Sequence, residues 1–446
     1  MRGINKETIF ALASGAGRAG VAIFRVSGPA SLDVFQAVTG LKGPPTARKA
    51  LRCKIADPTT FEVLDSGLAL WFPGPASFTG EDVVEFHVHG GRAITEAVCG
   101  ALEKFPDVRI AAPGEFSKRA FLAGKMDLTK VEALADLVEA DTDMQRRQAL
   151  RQFKGGLIKR LDVWREQLIK VLAYIEAWID FPDEDLPQDA LSGPFQQIDV
   201  LCAELQDFLA NSKNGERLRD GLSVGIVGAP NVGKSSILNA IAEREVAIVS
   251  EKAGTTRDII EVQLDLCGWP ITLFDTAGLR MAREDSIERE GVRRALARAE
   301  DSDFLLVVFD CSCLPDKNSL ALLTKVEKLV VWNKCDLPMR EGVLPDNTEA
   351  IFVSARTGEG LNGLVQCLTE KAEEFLGGDS AVITRARHRV ALVETLGALK
   401  RARLSPLDEI LAEELRVAIR EIGKISGRVD LEELLDVVFA DFCIGK

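Results

Sequence analysis

A glycine-rich segment in the middle of the chain has the spacing of a phosphate-binding loop. It is Gly228-Ala-Pro-Asn-Val-Gly-Lys-Ser235, and it follows the apolar run Leu222–Val227, which predicts a buried strand. Backbone N–H groups of such a loop can wrap the α- and β-phosphates of a nucleotide, and a helix starting near Lys234 adds a favourable dipole. Lys234 would neutralise the β- and γ-phosphate oxygens, and the hydroxyl of Ser235 would bind Mg²⁺.

A second segment, Leu273-Phe-Asp-Thr-Ala-Gly278, would complete the phosphate and magnesium site. Asp275 would reach the Mg²⁺ shell, and the N–H of Gly278 would bond the γ-phosphate. Upstream of it, Thr256 lies in a hydroxyl-rich stretch and would be the second protein ligand to Mg²⁺. A phosphate-binding fold that has lost hydrolysis is the alternative, and the two motifs that follow disfavour it.

Two later segments predict which base is bound. Asn333-Lys-Cys-Asp336 follows a strand-like run, and the Asp336 carboxylate can accept from guanine N1–H and N2–H₂, whereas adenine offers no such pair of donors. Asn333 and Lys334 would brace this loop. Ser354-Ala355 follows another strand-like run and would contact guanine O6 through a backbone N–H. The predicted GTP-binding residues are Asn231, Val232, Gly233, Lys234, Ser235, Ser236, Ser250, Glu251, Lys252, Ala253, Gly254, Thr255, Thr256, Asp275, Thr276, Ala277, Gly278, Asn333, Lys334, Asp336, Ser354 and Ala355.

The group that promotes hydrolysis is less evident, because Leu279 stands where many small GTPases have a glutamine. The side-chain carbonyl of Asn231 could bind a monovalent cation beside the phosphates, and such a cation would neutralise developing charge as an arginine finger does. Glu288, in an acidic stretch downstream, could orient the attacking water. A solvated carboxylate at the start of a helix is the alternative for Glu288.

These motifs must be held at one edge of a sheet. Each follows an apolar run, and ligands of doubly wound α/β sheets bind beyond the carboxyl ends of the strands. Residues 1 to 118 instead mix alternating apolar stretches with Gly and Pro turns, which predicts an α+β region. Beyond it, helical spacing begins with Thr129 and Glu132 as a predicted capping box. It resumes at Ser405-Pro406, and the residues predicted to face inward there are Ile410, Leu411, Leu415, Ile419 and Ile422. The two helical segments are expected to pack on each other, and two separate helical units are the alternative.

Four further segments point to a family. They are Gly17-Arg-Ala-Gly-Val-Ala-Ile-Phe-Arg-Val-Ser-Gly28, Phe72-Pro-Gly-Pro-Ala-Ser-Phe-Thr-Gly-Glu-Asp-Val-Val-Glu85, Ala112-Pro-Gly-Glu-Phe-Ser-Lys-Arg-Ala-Phe-Leu-Ala-Gly-Lys125 and Phe442-Cys-Ile-Gly-Lys446. Together with the GTPase motifs they resemble the MnmE (TrmE) family of tRNA-modification GTPases along essentially the whole chain. The terminal Cys-Ile-Gly-Lys and the Pro-Gly-Glu-Phe segment separate this family from other assembly GTPases.

The resemblance implies a multidomain protein with α+β and α/β parts. The expected parts are an N-terminal α+β folate-binding and dimerisation domain over residues 1–118, an α-helical domain over 119–215 and 377–446, and an inserted doubly wound P-loop G domain over 216–376. A homodimer, with potassium-dependent pairing of the G domains, is a further family expectation.

The resemblance also implies a K⁺ site and assigns the water-orienting acid. The K⁺ ligands would be Asn231, Ser250, Lys252 through its backbone carbonyl, and Thr255. Glu288 would orient the water, although the loop before it has one residue more than the family pattern.

By the same resemblance, Arg25, Glu85, Lys125 and Lys446 would bind 5-formyl- or methylene-tetrahydrofolate. A carboxylate can accept from the amino group and ring N–H of the pterin, and cations suit the glutamate of the folate. Simple cross-strand pairing of Arg25 with Glu85 is the alternative. Two histidines alternate with Glu85 on one strand, but no further ligand stands nearby in sequence, so a metal site there is disfavoured.

Cys443 is the fourth residue from the end of the sequence. A prenylation signal is rejected, because Gly445 is not aliphatic and Lys446 is a poor terminal residue for that motif. A buried structural thiol is one interpretation, suggested by the apolar Phe439 and Phe442. A catalytic thiol on a tail, with a thiolate favoured by Lys446, is the other, and the resemblance favours it.

The expected function is therefore GTP hydrolysis within tRNA wobble-uridine modification. The resemblance implies a heterotetramer with MnmG (GidA), a partner that carries FAD and uses NADH. The complex would build an aminomethyl or carboxymethylaminomethyl group at C5 of U34 from a tetrahydrofolate one-carbon unit. A regulatory GTPase that binds a ribosomal particle is one competing hypothesis, but it leaves the N-terminal segments and Cys443 unexplained. A folate-dependent aminomethyl transferase with an accessory switch is another, and it leaves the G domain unexplained.

Composition narrows the class of protein further. The 446 residues carry a net charge of −13, which argues against a broadly basic nucleic-acid surface, so tRNA would need local patches. Nine cysteines without a C-x-x-C pair indicate a reducing compartment. Neither a signal peptide nor a membrane-spanning run is found, which predicts a cytoplasmic protein without membrane contact. The candidate tRNA patch, for which a solvated helix face is the alternative, consists of Arg385, Arg387, Arg389, Lys400, Arg401 and Arg403.

Overall fold

The chain divides into two compact units, each described by itself. The first unit is Met1–Ala135 with Gly423–Lys446, and the second is Asp136–Ile422. The predicted domain boundaries at residues 118, 215 and 376 stay predictions. The computed structural model describes residues 7–180, 192–210, 212–244, 246–248, 261–275, 302–315, 320, 327–340, 350–377, 383–405, 408–429 and 445.

The first unit is built on a six-stranded sheet with the order β3-β4-β5-β2-β1-β6. Neighbouring strands are antiparallel except for the parallel pair of β1 and β6. The strands are β1 (Thr8–Leu12), β2 (Ala19–Ser27), β3 (Leu51–Ala56), β4 (Val63–Phe72), β5 (Val83–Gly90) and β6 (Val108–Ile110). The helices are α1 (Ser31–Thr39), α2 (Arg92–Leu102) and α3 (Glu115–Leu122).

The alternation of side chains along β2 separates the core of this unit from a polar face. Phe24 and Val26 are buried in a cluster that includes apolar residues of α1 and α2. Because successive side chains on a strand point to opposite faces, Arg25 lies on the other face. There, Ile9 and Phe116 belong to a second, smaller apolar cluster.

Five helices precede the second sheet, and the first of them begins differently from the prediction. Helix α4 begins at Leu128, before Thr129, and Asp127 Oδ1 accepts from Lys130 N at 3.0 Å, so the capping box predicted at Thr129 and Glu132 is wrong. Asp127 precedes the helix and is the better N-cap residue. These helices are α4 (Leu128–Glu139), α5 (Asp143–Phe153), α6 (Ile158–Asp180), α7 (Ser192–Ala210) and α8 (Ser212–Asp220).

The second unit contains a seven-stranded sheet with the order β13-β12-β11-β7-β10-β9-β8. β7 is flanked by β10 on one side and β11 on the other, which is the switch point of a doubly wound sheet. Only β9 runs against the other strands, so its pairs with β8 and β10 are antiparallel and the remaining neighbouring pairs are parallel. Its elements are β7 (Leu222–Val227), α9 (Lys234–Arg244), β8 (Val246–Ile248), β9 (Glu261–Leu266), β10 (Trp269–Asp275), β11 (Phe304–Asp310), β12 (Lys328–Asn333), β13 (Ala350–Phe352) and α10 (Leu361–Leu376).

Two helices follow the sheet, α11 (Ala386–Leu404) and α12 (Asp408–Ser426). The helical segments on either side of the sheet pack on each other as expected, because α11 packs against α7. The inward positions predicted for Leu411, Leu415 and Ile422 are confirmed, because all three are buried. The inward position predicted for Ile410 is wrong, because this residue is 47% exposed. Mixed α/β sheets and a helical part are thus confirmed as the fold class.

Candidate functional site

The loop between β7 and α9 is packed so closely that side chains do not fit at its glycines. A Cβ on Gly228 would overlap the carbonyl oxygen of Val308, and a Cβ on Gly233 would overlap the amide nitrogen of Asn333. Gly233 also has φ +95°, a backbone conformation that favours glycine. The loop therefore runs directly over the ends of β11 and β12.

The lysine of this loop is buried under its own backbone. Lys234 is 6% exposed, and its Nζ donates to the carbonyl oxygens of Gly228 at 2.9 Å and Ala229 at 2.8 Å. A buried ammonium needs such acceptors, and these bonds fix the charge at the centre of the loop. The side chains of Ser235 and Ser236 lie exposed at the start of α9.

Asn333 and Lys334 tie the glycine-rich loop to the later loops. Asn333, 2% exposed, donates from Nδ2 to the Val232 carbonyl oxygen at 2.8 Å, and its Oδ1 accepts from Ala355 N at 3.1 Å. Lys334 Nζ donates to the Asn231 carbonyl oxygen at 2.7 Å. Three of the predicted GTP-binding segments are thereby joined by side-chain hydrogen bonds.

Asp336 lies on the wall of a cavity of about 220 Å³ between these loops. Its Oδ1 accepts from Ser354 Oγ at 2.7 Å, and Arg356 Nη1 is 3.9 Å from Oδ2. An ionised carboxylate can only accept, so the site is built to receive N–H donors. The cavity is lined by Gly233, Ser236, Asn333, Lys334, Asp336, Leu337, Ala355 and Arg356.

Asp310, at the end of β11, belongs to the same network, and the sequence analysis missed it. Its Oδ2 accepts from Lys334 Nζ at 2.7 Å, and its Oδ1 accepts from Ser312 Oγ at 2.7 Å. Burial alone would raise the pKa of Asp310, but the hydrogen bonds from Lys334 and Ser312 outweigh it and hold the pKa below the ordinary value. A carboxylate that ends a fully apolar strand was the available signal.

Cys335, inside the predicted base-binding motif, contacts a second thiol. Its Sγ lies 3.1 Å from Sγ of Cys311, which is fully buried. Burial and hydrogen bonding with Cys335 raise the pKa of Cys311 to about 12. Cys311 is therefore a neutral thiol at physiological pH.

The remaining predicted nucleotide-site residues cannot be placed with the loops above. Asp275 ends β10 beside Ile226 of β7, and only its backbone is described. Ser250, Glu251, Lys252, Ala253, Gly254, Thr255, Thr256, Thr276, Ala277, Gly278 and Glu288 lie outside the described residues.

In the first unit, Arg25 and Glu85 face each other on β2 and β5. Arg25 Nε donates to Glu85 Oε1 at 2.9 Å, so the cross-strand pair considered as an alternative is present. The Arg25 guanidinium carbon also lies 5.3 Å from the ring centroid of Phe78 and 5.7 Å from that of Phe116. This face therefore carries a partly exposed ion pair next to two aromatic rings.

Lys125 lies beside the turn that precedes β5. A Cβ on Gly80 would be 3.6 Å from Lys125 Cε, which places the lysine side chain along that turn. The turn is held by buried Arg119, whose Nη1 donates to Glu81 Oε2 at 3.0 Å and whose Nη2 donates to Glu115 Oε1 at 2.9 Å. The exposed Lys125 side chain thus lies beside a turn that is held by ion pairs of Arg119.

Gly445, near the C-terminus, is buried against β1. Its φ is +109°, and a Cβ would overlap the carbonyl oxygen of Leu12 and lie 3.2 Å from Ala13 Cα. Leu12 follows Ala11, which pairs with Arg25 across β1 and β2. Cys443 and Lys446 lie outside the described residues.

The basic cluster considered for tRNA is largely neutralised by acids of the same unit. Four of its six cations form ion pairs at 2.7 to 3.1 Å, which are Arg385–Asp136, Arg389–Glu216, Arg401–Glu414 and Arg403–Asp199. These arginines join helices of the unit, which leaves less unpaired positive charge for tRNA, and the role of this cluster in tRNA binding stays a prediction.

Within the described ranges, no helix is long and apolar enough to cross a membrane. The same part of the chain has no group of three or more His, Cys, Asp or Glu side chains arranged to hold a metal ion. His89 Nδ1 instead lies 2.9 Å from Asp65 Oδ1, and His87 Nε2 lies 3.5 Å from Glu85 Oε2.

Comparisons with known proteins cover both units. The model of the MnmE helical domain matches residues 128–443, and the model of the GTP-binding protein TrmE N-terminus matches residues 8–125. A protein of Parvibaculum lavamentivorans is 50% identical over 446 residues, covering 99% of this chain and 100% of the relative. One of Paramagnetospirillum magneticum is 51% identical over 443 residues with the same coverage. Both relatives are named tRNA modification GTPase MnmE.

Among solved structures, Aquifex aeolicus Era bound to GDP and AlF₄⁻ is 26% identical. The match covers 42% of this chain and 68% of that chain, with a TM-score of 0.28.

Proposed function

This chain belongs to the MnmE (TrmE) family of tRNA modification GTPases and is a GTP hydrolase, and we propose that it acts at C5 of the wobble uridine, U34. The product would be an aminomethyl or carboxymethylaminomethyl group. The partner would be MnmG, a flavoprotein that carries FAD and uses NADH, in a heterotetramer around a homodimer of this chain. The comparisons confirm the family resemblance. The substrate position and the partner are our proposal.

Nucleotide binding is supported mainly by the cavity that Asp336 lines together with Gly233 of the glycine-rich loop. Ser354 Oγ holds one carboxylate oxygen of Asp336, so the carboxylate is oriented before the base arrives. Guanine would then donate N1–H and one N2–H to it, and Ala355, whose N–H is bound by Asn333, would lie beside O6. Lys234, fixed by two loop carbonyls, would meet the β- and γ-phosphates.

The residues of the loop fit a magnesium and a potassium ion. Ser235 exposes its hydroxyl at the start of α9, and Asn231 exposes its side chain at φ +62°, with its carbonyl held by Lys334. Oxygen donors of this kind suit hard cations. We propose Ser235 and Thr256 for Mg²⁺, and Asn231, Ser250, Lys252 and Thr255 for K⁺. When bound, the two cations supply neutralisation of the charge that develops on the phosphates.

Hydrolysis itself would depend on Glu288, because Leu279 has no group that can orient water. A carboxylate can accept a hydrogen bond from the attacking water and direct its lone pair at the γ-phosphate. Glu288 would thus be the catalytic acid-base residue of GTP turnover.

The polar face of the first unit would bind the tetrahydrofolate cofactor. Glu85 would accept from the pterin, and Arg25, Lys125 and Lys446 would bind the carboxylates of the folate's glutamate. The Arg25–Glu85 ion pair and the rings of Phe78 and Phe116 support this, because a pterin is a flat group with a row of donors. Cys443 would act on the modified uridine as a catalytic thiol.

Base recognition is tested by Asp336→Asn. Losing two hydrogen bonds to a charged group costs about 3 to 6 kcal/mol, so kcat/KM for GTP should fall about 10²- to 10⁴-fold. Xanthine has a carbonyl in place of the 2-amino group, so an asparagine amide can donate to it, and XTP should become the better substrate. Asp336→Ala is the matched control, which should lose GTP without gaining XTP. A D336N variant that still prefers GTP would show that Asp336 does not bind the base.

The tRNA role is tested separately by nucleoside analysis. Removal of the last four residues should abolish the C5 modification at U34 while GTP turnover continues. Persistent modification would refute the catalytic role of Cys443. GTP turnover in KCl and NaCl at equal ionic strength tests the cation site, because stimulation by K⁺ should be lost in Asn231→Ala.

A further inference from the structure

We propose that the exposed basic face of α5 and the first turn of α6 binds the phosphate backbone of tRNA. This basic face consists of Arg146, Arg147, Arg151, Lys154 and Lys159. The proposal rests on the proposed function, because it names the surface that would hold the tRNA substrate.

The charge of this segment is opposite to that of the chain. Residues 143–160 contain six Lys or Arg and one acid, Asp143, whereas the whole chain has 55 Lys and Arg against 68 Asp and Glu. The side chains of all six cations are exposed. A local excess of positive charge on an acidic protein is the electrostatic signature of a polyanion site.

Helix geometry turns three of these cations to one side of α5, and Arg146 lies about 100° from the nearest arginine of the three, Arg147. At about 100° per residue, Arg147, Arg151 and Lys154 fall within about 60° of one another around α5. The opposite side is buried on α8: Gln148 Nε2 donates to the Gly215 carbonyl oxygen at 3.0 Å, and Gln152 is 4% exposed. α5 is therefore anchored through its back and presents its cations to solvent.

Two cations of this basic face, both lysines, are not paired with an acid in the part of the chain that the structure describes. Lys159 lies in the first turn of α6, which contains no acidic residue, although the positive end of a helix dipole favours acids there. In the described part of the chain, neither Lys154 nor Lys159 has an ion-pair partner. Arg146 and Arg147 share the single carboxylate of Asp143, at 2.6 Å each. The unfavourable charge arrangement is relieved when a polyanion binds.

An exposed aromatic side chain beside Arg146 offers a base-stacking contact at the edge of this basic face. Phe153 is 37% exposed, and it lies about 20° from Arg146 around α5. Exposed aromatic rings beside cations stack on unpaired bases, which the loops of a tRNA provide. The other basic cluster, on α11, is engaged in ion pairs such as Arg403 with Asp199.

The test is binding of a fluorescently labelled tRNA transcript, with uridine at position 34, to the full-length chain over a series of salt concentrations. The variant is Lys154→Glu with Lys159→Glu. Its matched control is Lys42→Glu with Lys49→Glu, which changes the net charge equally at exposed lysines of the first unit. GTP turnover of both variants reports whether the fold is intact.

We expect the Lys154/Lys159 variant to bind tRNA at least tenfold more weakly at low salt. The slope of log affinity against log salt should fall by about 2, which is about 1 per phosphate contact. The control variant should match the wild type in both quantities, and GTP turnover should be unchanged in both.

Two results would overturn the proposal. Equal tRNA binding by the two variants would mean that the basic face does not contact RNA. The proposed function is judged separately, because it would still stand if the wild-type protein modifies U34. Normal tRNA binding with lost binding to the MnmG flavoprotein would identify the face as a protein-docking surface instead.

Discussion

Replacing Gly445 by alanine should release the C-terminal tail from the first unit. Gly445 is buried with φ +109°, and a Cβ there would overlap the Leu12 carbonyl oxygen of β1. Backbone on both sides of the contact leaves no flexible side chain that could move away. The tail itself is the element that must shift.

The magnitude follows from two costs. A residue with a Cβ at this φ is strained by about 1 to 3 kcal/mol, and overpacking against the strand adds about 1 to 3 kcal/mol. Even the lower sum, about 2 kcal/mol, shifts the equilibrium between docked and released tail about 30-fold. GTP turnover should not change, because the G-motif residues belong to the other unit.

Release of Lys446 by a lysine-specific carboxypeptidase, followed by intact mass, measures the docked fraction directly. U34 modification measures its consequence. Gly100→Ala is the matched control in α2, because a Cβ there meets nothing within 4 Å. It should leave both quantities unchanged and, as Gly to Ala within a helix, stabilise the unit by about 0.5 to 1 kcal/mol.

An alanine variant that loses Lys446 no faster than the wild type would refute the close approach of Gly445 to β1. Fast release with full U34 modification would instead show that the docked tail is not required for the reaction.

Three further predictions concern individual side chains. Asn333→Ala should weaken binding of a fluorescent GDP analogue about 5- to 150-fold, because two hydrogen bonds worth about 0.5 to 1.5 kcal/mol each are lost; unchanged affinity would contradict the bracing role. Iodoacetamide at pH 8 should modify exposed Cys313 and spare Cys311, whose pKa of about 12 keeps the thiol neutral, and peptide mass spectrometry checks this. Burial opposes ionisation of Glu115, but Arg109 and Arg119 outweigh it and lower the pKa of this carboxyl from 4.5 to about 2. The contribution of Glu115 to the free energy of unfolding is therefore full above pH 4.5 and is lost as the pH falls towards 2. Glu115→Gln should therefore reduce the loss of stability over that pH range in acid unfolding, and an unchanged acid transition would contradict it.

Features encoded in consecutive residues were predictable. The strand Leu222–Val227 and the helix start at Lys234 are found as the motif predicted, because an apolar run and a glycine turn are local signals. The Arg25–Glu85 pair was foreseen as an alternative, since both residues lie on strands with a clear alternating pattern.

Contacts between residues far apart in sequence were not predictable. Arg385 was assigned to a tRNA patch, yet it pairs with Asp136, 249 residues away, and no periodic pattern connects the two. Asp310 was missed for the same reason, because its partner Lys334 approaches only when β11 and β12 pair side by side. The close approach of Gly445 to Leu12 joins residues from opposite ends of the sequence, and no local pattern indicates it. Ile410 was wrongly predicted inward because the buried side of α12 follows Leu411, Leu415 and Ile422, and Ile410 lies about 100° from Leu411 around the helix.

The attachment of α5 to the second sheet has a consequence for how the family can diverge. Gln145 Nε2 and Gln148 Nε2 donate to the carbonyl oxygens of Arg219 and Gly215, and Met144 N donates to the carbonyl oxygen of Gly268. Every one of these acceptors is main chain, which any amino acid supplies. These three hydrogen bonds therefore place no demand on the side chains of α8 or of the β9–β10 turn, which can differ between relatives without breaking them. A relative that keeps the two glutamines can form the same three hydrogen bonds even where the sequence of α8 has changed.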